Sequence, residues 1–137
     1  MQIYALRLTP GQDLRQELEA WARQQAIAAS YLLAAVGSLQ PARLRLAGQA
    51  TATLFPGPVE LIALNGLLSQ QGTHLHGAIA DAQGRVYGGH IVGGCLIYTT
   101  AELVLGTAPQ LDFQRELDPQ TGYPELKIRG REAGESP

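Results

Sequence analysis

Only one cysteine, Cys95, stands in 137 residues, so an internal disulfide framework is excluded, and the chain is expected to work in the reducing cytoplasm. No apolar run reaches membrane-spanning length and no charged-then-apolar leader is evident, so neither a membrane anchor nor a secretory signal is expected. Neither sign of charge dominates. Ten Lys and Arg against twelve Asp and Glu leave a net charge of −2, and the chain as a whole lacks the basic field that draws proteins to phosphate backbones. DNA as a partner is therefore unsupported by charge, though not excluded. Nucleophile elbow, phosphate loop and dinucleotide fingerprint are also missing.

Histidine is scarce too, and its placement is the informative feature. All three histidines fall within seventeen positions: His74 and His76 in Thr73-His74-Leu75-His76-Gly77, and His90 in Gly88-Gly89-His90. Neutral imidazole is the commonest metal ligand, and a His-x-His pair with one further His is a three-nitrogen set suited to zinc or another divalent metal.

The spacing can be turned into geometry. Ala82-Gln83-Gly84 reads as a three-residue hairpin loop with Gly at the left-handed position, which sets Asp81 opposite Arg85. In that register His76 faces His90 directly, with Cβ atoms about 5 Å apart, and His74 lies two residues along on the same face. A two-residue loop would instead send His90 to the opposite face, and a bulge at Gly88-Gly89 would also alter the match. The alternative is that the three are half-exposed polar residues bonded to their neighbours or facing a subunit contact.

With 45% hydrophobic residues, a chain of this length can bury one core of its own and is expected to form a single domain. A first strand is expected over Gln2 to Leu8, bounded by Thr9-Pro10-Gly11. A helix follows, with Asp13 as N-cap, Gln16 three residues on, and Leu14, Leu18, Trp21 and Ala22 forming one apolar face through about Gln25. Strands are expected over residues 31–36, 44–53, 59–67, 73–81, 85–92 and 95–105. Short Gly- and Pro-containing breaks favour antiparallel hairpins, so the class is α+β. Residues 132–137 read as a frayed polar tail.

Three His ligands leave a fourth metal position open, so a metal-dependent hydrolase or lyase is one reading; it needs a nearby acid or base. Glu102 and Asp81 are the candidates, against simpler roles for each: Glu102 as a strand-end carboxylate accepting bonds from backbone, Thr99 or Thr100, and Asp81 as the residue that caps the turn. Gly37-Ser38 suggests a tight backbone with Ser bonded to a local amide rather than a nucleophile. Arg43 and Arg45 alternate with Leu44 and Leu46 as the wet face of a strand, an anion site being the alternative. Cys95 reads as a buried strand residue.

Several segments taken together resemble the PPC domain, the plant and prokaryote conserved domain. They are Arg7-Leu8-Thr9-Pro10-Gly11-Gln12-Asp13-Leu14, Gly37-Ser38-Leu39, Val59 to Gly66, His74-Leu75-His76, Gly84 to His90, and Thr99-Thr100-Ala101-Glu102-Leu103. The resemblance implies a strongly bent antiparallel sheet packed against one helix over residues 1–128, followed by a tail over 129–137. It also implies a homotrimer, and a divalent metal, commonly zinc, at His74, His76 and His90, with room for a small ligand beside it.

Stand-alone prokaryotic members are usually described as DNA-binding by likeness to plant relatives, in which a separate AT-hook reads the minor groove. Arg129-Gly130-Arg131 has a hook's core, but Glu132 stands where Pro is expected and the position follows the domain. In plant relatives the segment matching residues 57–62 contacts partner proteins; here Pro58 and Val59 depart from the usual Arg and Phe.

Overall fold

Alternation organises the first strand, β1 (Ile3–Leu8), in a computed structural model that describes residues 1–131. Tyr4, Leu6 and Leu8 turn inward and Ile3, Ala5 and Arg7 turn to solvent, as the period of two requires. The helix α1 (Leu14–Gln24) begins where expected. The Asp13 carboxylate accepts the N–H groups of Arg15 and Gln16 at 3.0 and 3.1 Å through Oδ1, and that of Gly94 at 2.6 Å through Oδ2. Two helix amides and a distant turn therefore share one anchor. Leu14, Leu18, Trp21 and Ala22 are the buried helix residues, and α1 packs on β5 and β6 (residues 59–69 and 72–80, described next), with Trp21 edge-on to Tyr4 at 5.2 Å.

The remaining elements are strands: β2 (Ser30–Leu39), β3 (Ala42–Arg45), β4 (Thr53–Phe55), β5 (Val59–Ser69), β6 (Gly72–Ala80), β7 (Val86–Ile91), β8 (Ile97–Thr107), β9 (Leu111–Leu117) and β10 (Pro124–Gly130). Eight form one sheet in the order β1-β8-β2-β5-β6-β7-β3-β4, with every neighbouring pair antiparallel. Register shifts within β2 and near Leu61/Ala63 of β5 are bulge-type irregularities, the features that bend a sheet over a helix. Between sheet and helix lies the core, in which Leu14, Leu18, Leu39, Leu75, Leu103 and Leu105 are fully buried. The class is α+β, as expected, with one helix among the described residues and an antiparallel main sheet.

Two expectations need correction. The strand expected over residues 44–53 is broken after Arg45: Gly48 adopts φ +71 and the Gln49 N–H bonds the Leu46 carbonyl, so the chain reverses and β4 returns alongside β3. Cys95 is buried as expected, but it precedes β8, with its thiol set between the N–H and carbonyl of Arg43 at 3.2 Å each. Burial pushes that thiol above the usual range, against the opposing effect of the Arg43 amide.

Beyond residue 107 the hairpin β9–β10 forms a two-stranded sheet of its own, where no element was expected. It is fastened by the Phe113 N–H to the Ala28 carbonyl at 2.9 Å, with the Phe113 ring buried. Strand β10 runs on through Arg129 and Gly130, two residues past the expected start of the tail, and Arg129 is ion-paired with Glu116 at 2.9 Å. The tail residues 132–137 lie outside the described residues. Among the described residues no helix is long and apolar enough to cross a membrane.

Candidate metal centre

The β6–β7 hairpin closes through Ala82-Gln83-Gly84. Gly84 has φ +76, and the Asp81 N–H reaches the Arg85 carbonyl at 3.0 Å. Asp81 does the turn work expected of it: its Oδ1 accepts the N–H groups of Gln83 and Arg85 at 2.9 and 3.0 Å, and its Oδ2 pairs with Arg85 Nε at 2.7 Å. Desolvation raises the carboxyl's pKa, but the Arg85 and Gln83 hydrogen bonds outweigh it and hold the group below the usual range. The register is uninterrupted from Ala80↔Val86 to His76↔His90, so Gly88 and Gly89 introduce no bulge. Gly89 leaves room for β3, because a Cβ there would lie 2.8 Å from the Arg45 carbonyl oxygen.

The turn thus delivers the three imidazoles to one face. The ring centroids of His74, His76 and His90 lie 4.9, 5.2 and 5.5 Å apart, and one ligating atom from each falls within 4.8 Å of the others. His74 Nε2 and His76 Nε2 are 3.2 Å apart, close to the roughly 3.3 Å edge that two zinc–nitrogen bonds of about 2.05 Å subtend at a tetrahedral ion. His90 Nδ1 is buried without a hydrogen-bond partner. Two neutral rings at 3.2 Å can share one proton, whereas a cation could take a lone pair from each ring. The donor chemistry and spacing fit a divalent metal.

Neighbouring strands extend the site. Asn65, His76, His90 and Arg45 form one row across β5, β6, β7 and β3, while His74, opposite Leu67, projects past the end of the β6–β7 ladder. Beside the histidines opens a cavity of about 460 Å³. His74 and His90 line it together with Arg15 of α1, Arg45 of β3, and Arg115, Tyr123 and Glu125 of the β9–β10 region. The sequence reading had raised Arg45 for an anion site but missed Arg15, Arg115, Tyr123 and Glu125; they come from distant segments, and no local pattern marks them.

Electrostatics favour the neutral forms of His74 and His90. Burial, then His74, Arg45, His76 and Arg15, lower the His90 pKa from 6.5 to about 4; burial, His76 and Arg115 lower that of His74. A depressed folded-state pKa makes the unfolded chain the better proton acceptor between the two values. Stability of the metal-free protein is therefore full above pH 6.5 and lost as pH falls towards 4. The unscreened His90 contribution at pH 4 is about 3 kcal/mol, reduced to roughly 1–2 kcal/mol by solvent screening. Urea midpoints of metal-free protein should fall over this range, and His90→Gln should flatten the fall; an unchanged slope would contradict the reading.

The remaining candidates lie elsewhere. Glu102 sits mid-strand in β8, opposite Arg7 of β1, three strand spacings or roughly 14 Å along the sheet from β6, and lines a separate groove with Ala34 and Val36. Thr99 and Thr100 bond Ser38 and Arg7 respectively rather than Glu102. Ser38 Oγ does accept a backbone amide, but that of Thr99 on the neighbouring strand β8 at 3.3 Å, not the local one expected. Arg43 is exposed, and Trp21 belongs to the core.

A protein from Synechococcus sp. (strain JA-3-3Ab) named Bifunctional protein GlmU is 56% identical over 128 residues, which make up 93% of this chain. The chain spans about a fifth of that relative's length, 21%. A structure from Salmonella enterica, described as a hypothetical protein, superposes with a TM-score of 0.91 at 43% identity, covering 95% of this chain and 94% of that one. A metal-containing protein from Archaeoglobus fulgidus shares the fold, with a TM-score of 0.79, 24% identity, and coverage of 93% and 94%. So does a Bacteroides thetaiotaomicron protein described as a candidate DNA binder, with a TM-score of 0.81, 18% identity, and coverage of 91% of both chains. The sequence model of the Plants and Prokaryotes Conserved (PCC) domain matches residues 1–109, and the chain belongs to that family.

Proposed function

We propose that this chain assembles as a homotrimer in which each subunit holds one divalent ion, zinc foremost, through His74, His76 and His90, with a small-ligand site in the adjoining cavity. The observation that carries the reading is the meeting of three imidazoles, one ligating atom each within 4.8 Å, one of the rings, His90, having a buried Nδ1 with no hydrogen-bond partner. The Archaeoglobus relative, described as metal-containing, accords with it. So does the GlmU relative: a domain forming about a fifth of a bifunctional chain suits a ligand-binding module used beside other domains.

Self-association rests on the family resemblance and on apolar side chains left in solvent on the sheet, Leu33, Val36 and Ile62 being 50–57% exposed. If the metal acts as a catalyst, Glu125 is the carboxylate beside it, since Glu102 lines the other groove.

DNA binding is the second reading, favoured by the description of the Bacteroides relative. Arg129 is committed to Glu116 and lies in β10, so a minor-groove hook is not the route.

Untagged protein should carry about one divalent ion per subunit by elemental analysis and run as a trimer in light scattering. Metal-free protein that takes up no zinc would end the metal reading. Association with duplex DNA at low salt that weakens steeply as salt rises would favour the second one.

A further inference from the structure

The charge around the cavity differs from that of the chain as a whole. Among the described residues, three guanidinium groups, Arg15, Arg45 and Arg115, line it against one carboxylate, Glu125, although the chain carries a net charge of −2. Arg15 is held by Glu19 through Nε at 2.8 Å. For Arg45 and Arg115, no carboxylate among the described residues comes within ion-pair distance. Burial partly desolvates Arg115 and lowers its pKa against the opposing attraction of Glu125, leaving a charge that gains from a further anionic partner.

The backbone of Arg115 is anchored at the cavity: its main-chain N–H donates to Gln71 Oε1 at 3.2 Å, joining β9 to the β5–β6 turn two residues from Thr73, whose hydroxyl bonds Glu19 at 3.0 Å. Arg115, Tyr123 and Glu125 all lie beyond residue 109, where the family match ends. The part of the chain outside that match therefore supplies one cation, one carboxylate and an aromatic side chain to a cavity begun by the family core.

We propose that the cavity takes a small oxyanion, a carboxylate or phosphate compound, which Arg45 and Arg115 recognise directly with support from Arg15, and that the β9–β10 hairpin sets its specificity. Planar guanidinium forks match both groups in bidentate fashion, and about 460 Å³ suits a small metabolite. A cavity of that size in an acidic chain does not suit a polyanion such as DNA. The inference deepens the small-ligand site proposed above.

The test uses the full chain with zinc bound and free zinc removed, and separately the metal-free chain. Inorganic phosphate and succinate are titrated at constant ionic strength by calorimetry and thermal shift. Saturable binding of one of them is expected, weakened about tenfold in Arg45→Gln and in Arg115→Gln, with zinc content unchanged. Arg115→Lys should recover only part of the loss, because it restores charge without the fork. Should Arg45→Gln fail to fold, Arg115→Gln carries the test, since its side chain lies outside the main sheet. No saturable binding of either anion to the zinc-bound protein, or equal affinity in the arginine variants, overturns the proposal. Arginine-dependent binding by a protein that takes up no zinc would uphold the anion site while ending the metal reading.

Discussion

Replacing His76 by Ala is expected to weaken zinc binding on the order of 10²–10³-fold. His76 is the pivot of the trio: it faces His90 across the ladder and lies 3.2 Å from His74, nitrogen to nitrogen. Structural zinc sites bind with roughly 10–16 kcal/mol shared among four ligands, so one ligand accounts for about 2.5–4 kcal/mol. The fold should survive, because the side chain is exposed and the β6–β7 hydrogen bonds are made by backbone. Competition with a chromophoric chelator, alongside circular dichroism, separates the two effects. A folded variant with unchanged zinc affinity would remove His76 from the site.

Gly37→Ala is expected to cost about 3 kcal/mol or more in stability, roughly a 10 °C drop in Tm. At Gly37 the strands β2 and β8 cross so closely that an added Cβ would strike the Thr100 carbonyl and lie 2.8 Å from Ala101 Cα. Both obstacles are backbone, so no rotamer change relieves them. The adjoining Ser38–Thr99 contact, 2.8 Å between hydroxyl oxygens, would be displaced as well. Gly93 is the matched control: nothing lies within 4 Å of a Cβ there, and Gly93→Ala should stay within about 0.5 kcal/mol of the parent. Thermal unfolding of the two variants decides the matter, and equal losses would contradict the close-approach account.

What could be read from the residues was local. The hairpin at Asp81 to Arg85 was legible because Gly84 and the Asp81 carboxylate act within five residues, and the facing of His76 and His90 followed from that count. The helix was legible from its cap and its repeat. The β3–β4 reversal was not, because Ala47-Gly48 interrupts an otherwise strand-like run with a single left-handed residue. Hairpin β9–β10 was missed because its strands mix charged and apolar residues, only Phe113 among the two strands being buried. The arginines of the cavity lie on α1, β3 and β9, up to a hundred residues apart, and only the tertiary arrangement brings them together. The expectation of a bent sheet came from the family resemblance, not from periodicity.

All three histidines belong to one hairpin, and this sets how far an ion there could reach. A clamp between His74 and His90 encloses only the residues of that single reversal, and closing so short a loop restrains little of the unfolded chain. Stripping the ion should accordingly loosen the histidine-bearing end of the β6–β7 pair while the leucine-lined interior stays shut. Occupancy would then be felt at the cavity mouth, as a local stiffening and not as a condition for folding.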